Sequence, residues 1–115
     1  MRRTGYKGRC EKRQTLKCEG VCRTYDPIQK AYVETLEQDE QVKSYRCNVP
    51  LDDCCADYMT DFVCTKQDGS LMVRECVQRK YVTKPMTIRL LDTSQEYWMR
   101  HGVTDCTNID IIWLF

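Results

Sequence analysis

The sequence predicts a small disulfide-rich α+β fold, and three observations predict it. Nine cysteines stand in 115 residues, a density typical of a short chain stapled by disulfides. Two runs rich in β-formers flank Asp68-Gly69, the pattern of a β-hairpin near 62–77. Apolar residues at helical spacing mark two or three short helices, about 27–42, 50–63 and 94–101. The length suits one core and leaves no room for a second.

Residues 1–9 read as a disordered basic N-terminus, and 10–115 as a single disulfide-stapled domain. The basic cluster Arg2, Arg3, Lys7, Arg9, Lys12, Arg13 and Lys17 is read as a solvated tail. Asp26-Pro27-Ile28-Gln29 supplies a helix start: an acidic cap, a proline in the first turn and a glutamine three residues past the cap. Ile28, Tyr32 and Leu36 continue it at helical spacing, while Glu37 to Lys43 is polar and solvated. Pro50 opens the second helix, with Leu51, Cys55, Tyr58 and Phe62 as its apolar stripe. Asp53, Asp57 and Asp61 fall on another face, read as solvated because like charges at that spacing repel. In the hairpin, a two-residue turn at Asp68-Gly69 sets Cys64 opposite Val73 and sends Cys76 to the other face. Thr87 to Leu91 reads as a strand after Pro85. Asp92 to Glu96 caps the last helix, Gly102 ends it, and Ile109 to Phe115 forms a closing strand.

Charge and motif content exclude several functions. A charged fraction of 30% that balances to a net charge of +1 leaves no basic footprint for nucleic acid. No stretch is long and apolar enough for a membrane span. No signal peptide and no glycosylation sequon are visible. His101 is the one histidine, so no Ser-His-acid or Cys-His arrangement can form without it. Its place at a helix end fits a residue that satisfies terminal carbonyls. No Gly-rich phosphate loop exists. The chain is therefore expected to be no enzyme, with no catalytic residue, metal or cofactor.

The cysteines lie at Cys10, Cys18, Cys22, Cys47, Cys54, Cys55, Cys64, Cys76 and Cys106, and their pairing stays open. A zinc site needs two short-spaced pairs. Cys18 with Cys22 makes one, and Cys47 with Cys54 or Cys55 a loose second, so the spacings favour disulfides. Because the count is odd, one cysteine is left as a free thiol or as a bond to a second chain, and the second outcome would give a disulfide-linked homodimer or heterodimer. The adjacent Cys54 and Cys55 diverge from the backbone and tie their segment to two different places.

Two resemblances join these observations. Asp53-Cys54-Cys55-Ala56-Asp57-Tyr58 resembles the Asp-Cys-Cys-x-Asp-Tyr signature of somatomedin-B domains, with Cys18-x3-Cys22 as the opening pair. The central Cys-x-Cys of that family is missing. Cys18-x-Gly-x-Cys22 is similar to the centre of cystine-knot hormone and growth-factor domains, where Cys10, Cys18, Cys22 and Cys64 would match four of six knot positions. The Cys-x-Cys that closes that ring is absent. Both resemblances imply an extracellular, non-catalytic protein that presents loops to a protein partner.

The expectation is a secreted, non-enzymatic protein-binding module: a ligand, receptor-binding factor or inhibitor held by about four disulfides. Its partner would be a protein or receptor. Tyr25, Tyr32 and Trp98 are the candidate contacts, since aromatics dominate interface hot spots; the competing assignment is that they fill the core. The alternatives are an intracellular structural subunit of a larger assembly with reduced cysteines, and a zinc-stabilised domain.

Overall fold

The computed structural model describes residues 2–51 and 58–109. Among them are seven strands and two helices, in the order β1 (Arg2–Arg3), β2 (Glu11–Arg13), β3 (Cys22–Thr24), α1 (Pro27–Gln38), β4 (Val42–Pro50), β5 (Tyr58–Lys66), β6 (Leu71–Cys76), α2 (Pro85–Arg100) and β7 (Asp105–Ile109). A 3₁₀ turn at Arg79–Tyr81 precedes α2. β5 is the centre of the main sheet. β4 runs antiparallel along one side of it, and β6 and the short β1 share the other. β7 joins β6 in parallel, Val73 beside Cys106, so α2 is the crossover that a parallel pair requires. β2 and β3 form a separate antiparallel ribbon.

The sheet is buried on both faces. One face packs Tyr45, Phe62, Cys64 and Met72 against Ile28, Tyr32, Val33 and Leu36 of α1. The other packs Val63 and Val73 against Tyr97 and Trp98 of α2. Burial of both faces turns β5 into the near-continuous run Phe62-Val63-Cys64, all buried. That run is why residues 58–63 belong to a strand and not to the expected helix over 50–63. Apolar spacing cannot tell a short buried strand from a helix; here ladders on both sides decide it. Asp61 is 1% exposed, so it does not lie on a solvated carboxylate row. Asp53, Asp57, Cys54, Cys55 and the somatomedin-like motif before Tyr58 lie outside the described residues, as does the closing segment beyond Ile109.

The start of α1 is as the sequence dictates. Asp26 accepts the Gln29 amide at 2.8 Å and Pro27 follows it. Gln29 is fully buried and its Oε1 accepts the Tyr25 amide at 2.9 Å. The helix ends at Gln38 rather than near 42, because Val42 is fully buried and opens β4. The expected strand over 87–91 and helix over 94–101 are one helix, α2, of 16 residues. Pro85 starts it, and Ser94, Tyr97 and Trp98 form its buried stripe. Gly102, at φ +83°, follows its end as expected.

The disulfide-rich fold class, and with it the disulfide-bonded description, is overturned. All seven described cysteines are free thiols. The hairpin register also differs from the expected one. Gly69 adopts φ +88° and the Lys66 amide reaches the Ser70 carbonyl at 2.8 Å, a three-residue loop rather than a two-residue one. The one-residue slip places Cys64 opposite Met72. Cys64 and Cys76 therefore share a face and a core cluster. They stay apart because four residues separate Met72 from Cys76 along β6, about 13 Å of strand. Cys106 packs on the opposite face.

Candidate metal centre

Three cysteines do meet. Cys18 Sγ lies 3.8 Å from Cys47 Sγ, Cys22 Sγ lies 3.7 Å from Cys47 Sγ, and all three sulfurs fall within 4.8 Å of one another. These separations are far beyond a disulfide bond of about 2.05 Å. They match the edge of a thiolate tetrahedron: with metal–sulfur bonds of about 2.3 Å, sulfurs sit roughly 3.8 Å apart.

Each ligand comes from a different piece of backbone. Cys47 is in β4, on the face that carries Tyr45 two residues earlier. Cys22 begins β3 and is fully buried. Cys18 forms an isolated parallel bridge to Tyr45. The Glu19 amide reaches the Tyr45 carbonyl at 2.8 Å, and the Tyr45 amide reaches the Lys17 carbonyl at 3.1 Å. Between Cys18 and Cys22 the chain must turn back on itself, and Gly20 at φ +83° allows it. Lys17 anchors the loop from below, its Nζ donating to the Asp39 carbonyl at 2.7 Å, where the end of α1 favours a cation. Glu37 accepts the Leu16 and Lys17 amides at 3.1 and 3.2 Å. Thr15 Oγ1 accepts the Cys18 amide at 3.2 Å and contacts the Tyr45 hydroxyl at 3.0 Å.

The sulfurs are electrostatically unequal. Hydrogen bonds from Cys18 and then Cys47 lower the pKa of Cys22, and the Arg13 guanidinium adds to this. Arg13 stands directly opposite Cys22 in the β2–β3 ribbon. Cys18 is pushed up, chiefly by its hydrogen bond to Cys22. Cys47 is pushed up by its bonds to Cys18 and Cys22. Ionising all three sulfurs together would gather negative charge in one place, and a soft or borderline metal ion bound there would supply the compensating positive charge.

The other expected residues fall elsewhere. Tyr32 is 9% exposed and packs on Phe62 with ring centroids 5.7 Å apart. Trp98 is 7% exposed and donates from its indole nitrogen to Thr60 at 2.9 Å. Both fill the core. Tyr25 is partly exposed, edge-on to Tyr6 at 5.4 Å with Arg2 over its ring. Cys10 precedes β2, and Arg13 rather than Cys10 stands opposite Cys22. Cys64, Cys76 and Cys106 contribute to the core clusters or pack beside them. His101 caps α2, its Nδ1 2.8 Å from the Tyr97 carbonyl. Sequence reasoning did not assign Arg13, Thr15 and Tyr45 to the site. Tyr45 alone carried a signal, since alternation along a strand puts it on the face of Cys47. Among the described residues no helix is long and apolar enough to cross a membrane. No protein-family model matches this chain, and none of the curated proteins matches it.

Proposed function

We propose that this chain is a non-enzymatic structural domain with reduced cysteines, in which Cys18, Cys22 and Cys47 supply three of the four ligands of a zinc ion. The observation that carries the reading is the pair of sulfur separations, 3.7 and 3.8 Å, which suit zinc–thiolate geometry. The ion would tie three parts of the chain together: the loop after β2, the start of β3, and β4 at the edge of the sheet. It would replace the disulfides that the cysteine content suggested. Reduced thiols suit a reducing compartment, and the role that fits is a subunit that presents a metal-stiffened loop within a larger assembly. The exposed Leu16, at 99%, and Val21 flank that loop.

Cobalt(II) titration of the reduced protein tests this. Wild type should develop thiolate-to-cobalt charge-transfer absorption at one equivalent, and zinc should displace it. Cys47→Ser should lose it, while Cys64→Ser should keep it. Equal spectra from Cys47→Ser and wild type would end the reading. Binding should weaken as pH falls, because the metal competes with protons for the sulfurs.

A further inference from the structure

We propose that the corner where the 3₁₀ turn meets α2 docks on an anionic lipid surface, its apolar tip entering the interface and a basic collar holding the headgroups. The tip consists of Tyr81, Val82 and Met86, which are 45, 40 and 61% exposed; Ile88 stands on another side of α2, in a shallow cleft with Arg89, Asp92 and Glu96. Large apolar side chains gathered at one exposed corner mark a contact surface. Around them stand Arg79, Lys80, Lys84 and Arg89, all exposed. From Cys76 to Leu91 the chain carries these four cations and no acid, although the whole chain has a net charge of only +1. None of the four forms an ion pair among the described residues.

The backbone points the same way. α2 begins with no side-chain cap and no acidic residue in its first turn, so its exposed N–H groups and positive dipole end face outward at this corner. Beside it opens a cleft of about 460 Å³ whose walls include Arg2, Arg3, Tyr6, Asp26, Tyr81 and Leu90, with the Asp26 carboxylate already paired to Arg2 at 2.7 Å. It offers an arginine and apolar walls to the top of an anionic lipid. Lys80 Nζ lies 5.1 Å from the Tyr81 ring centre, so the aromatic and the cation meet at one level, as at membrane interfaces. The apolar tip selects lipid over nucleic acid. Phosphate binding would use the collar and leave Val82 and Met86 without a role. This surface is separate from the cysteine site and does not depend on a metal.

The test is co-sedimentation of the full chain with phosphatidylcholine vesicles, with and without about one third phosphatidylserine, near 0.1 M salt. The expected result is binding to the anionic vesicles only, lost near 0.5 M salt. Lys80→Gln with Lys84→Gln should weaken it on the order of tenfold or more. Met86→Asp should weaken it at least as much, and circular dichroism should show that this exposed substitution still folds. Equal binding to neutral vesicles, or no effect of either variant, overturns the proposal. So does capture of single-stranded RNA at similar strength with no effect of Met86→Asp.

Discussion

Replacing Glu75 by glutamine should invert in its effect on stability between mildly acidic and mildly alkaline pH. Asp61 and Glu75 adjoin the Phe62–Arg74 pair that ends the β5–β6 ladder, and the two are 1 and 3% exposed. Glu75 accepts the Asp61 amide at 2.8 Å and the Ser94 hydroxyl at 2.6 Å, and the latter bond fastens α2 to the sheet. Burial, followed by the charge of Asp61, raises the Glu75 pKa from 4.5 to about 7. The folded chain therefore keeps a proton that the unfolded chain releases above about 4.5. That contribution to stability is complete at low pH, is lost between about 4.5 and 7, and is constant above. At about 1.4 kcal/mol per pH unit, the loss is on the order of 3 kcal/mol.

Glutamine does not titrate. It keeps an acceptor oxygen but brings an amide NH₂ into a buried site built for a carboxyl, a cost of roughly 1–2 kcal/mol at every pH. Wild type should be the more stable by about that amount near pH 4, and Glu75→Gln should overtake it near pH 8. Urea unfolding of both proteins across this range measures the gap. A gap that does not change with pH would refute the reasoning, because it would mean that Glu75 ionises alike in the folded and unfolded chains.

Other substitutions test the remaining parts. Trp98→Phe leaves the Thr60 hydroxyl without its indole partner and thins the α2 contact; it should lower unfolding free energy by about 1–3 kcal/mol with no effect on cobalt binding. Gly20→Ala meets no neighbour but must adopt φ +83°, a strain of about 1 kcal/mol; it should weaken metal binding more than it lowers the apo-protein's stability. Asp26→Ala removes the α1 cap and the 2.7 Å ion pair with Arg2; denaturant midpoints should report a loss of roughly 1–2 kcal/mol. A chelator should lower the melting temperature of wild type and leave that of Cys22→Ser unchanged.

The sequence made local features legible wherever one residue type decides the geometry. Asp26-Pro27 set the start of α1, Gly102 the end of α2, and Asp68-Gly69 the place of a hairpin. What stayed hidden depended on partners distant in sequence. The run Tyr58 to Phe62 satisfied a helical stripe, and only β4 and β6 pairing on either side make it a strand. Residues 87–91 held enough β-branched and apolar character to read as a strand, yet they precede Ser94, Tyr97 and Trp98 at helical spacing on one buried face. Hairpin register turned on one residue of loop length, which reversed the relation of Cys64 to Cys76. The thiol site was half visible. Cys18 and Cys22 sat at ligand spacing, but Cys47 joins them through the bridge between Cys18 and Tyr45, which no local pattern encodes. The cysteine count pointed to disulfides, whereas the fold spreads four of the seven described thiols across separate strands and loops and gathers three.

Native mass spectrometry of the purified chain, without reductant or chelator, tests the metal assignment most directly. The account predicts a folded species heavier than the fully reduced chain by one bound zinc ion, with that increment absent from Cys47→Ser. A metal-free species lighter than the reduced chain by two hydrogens for each pair of cysteines would contradict it.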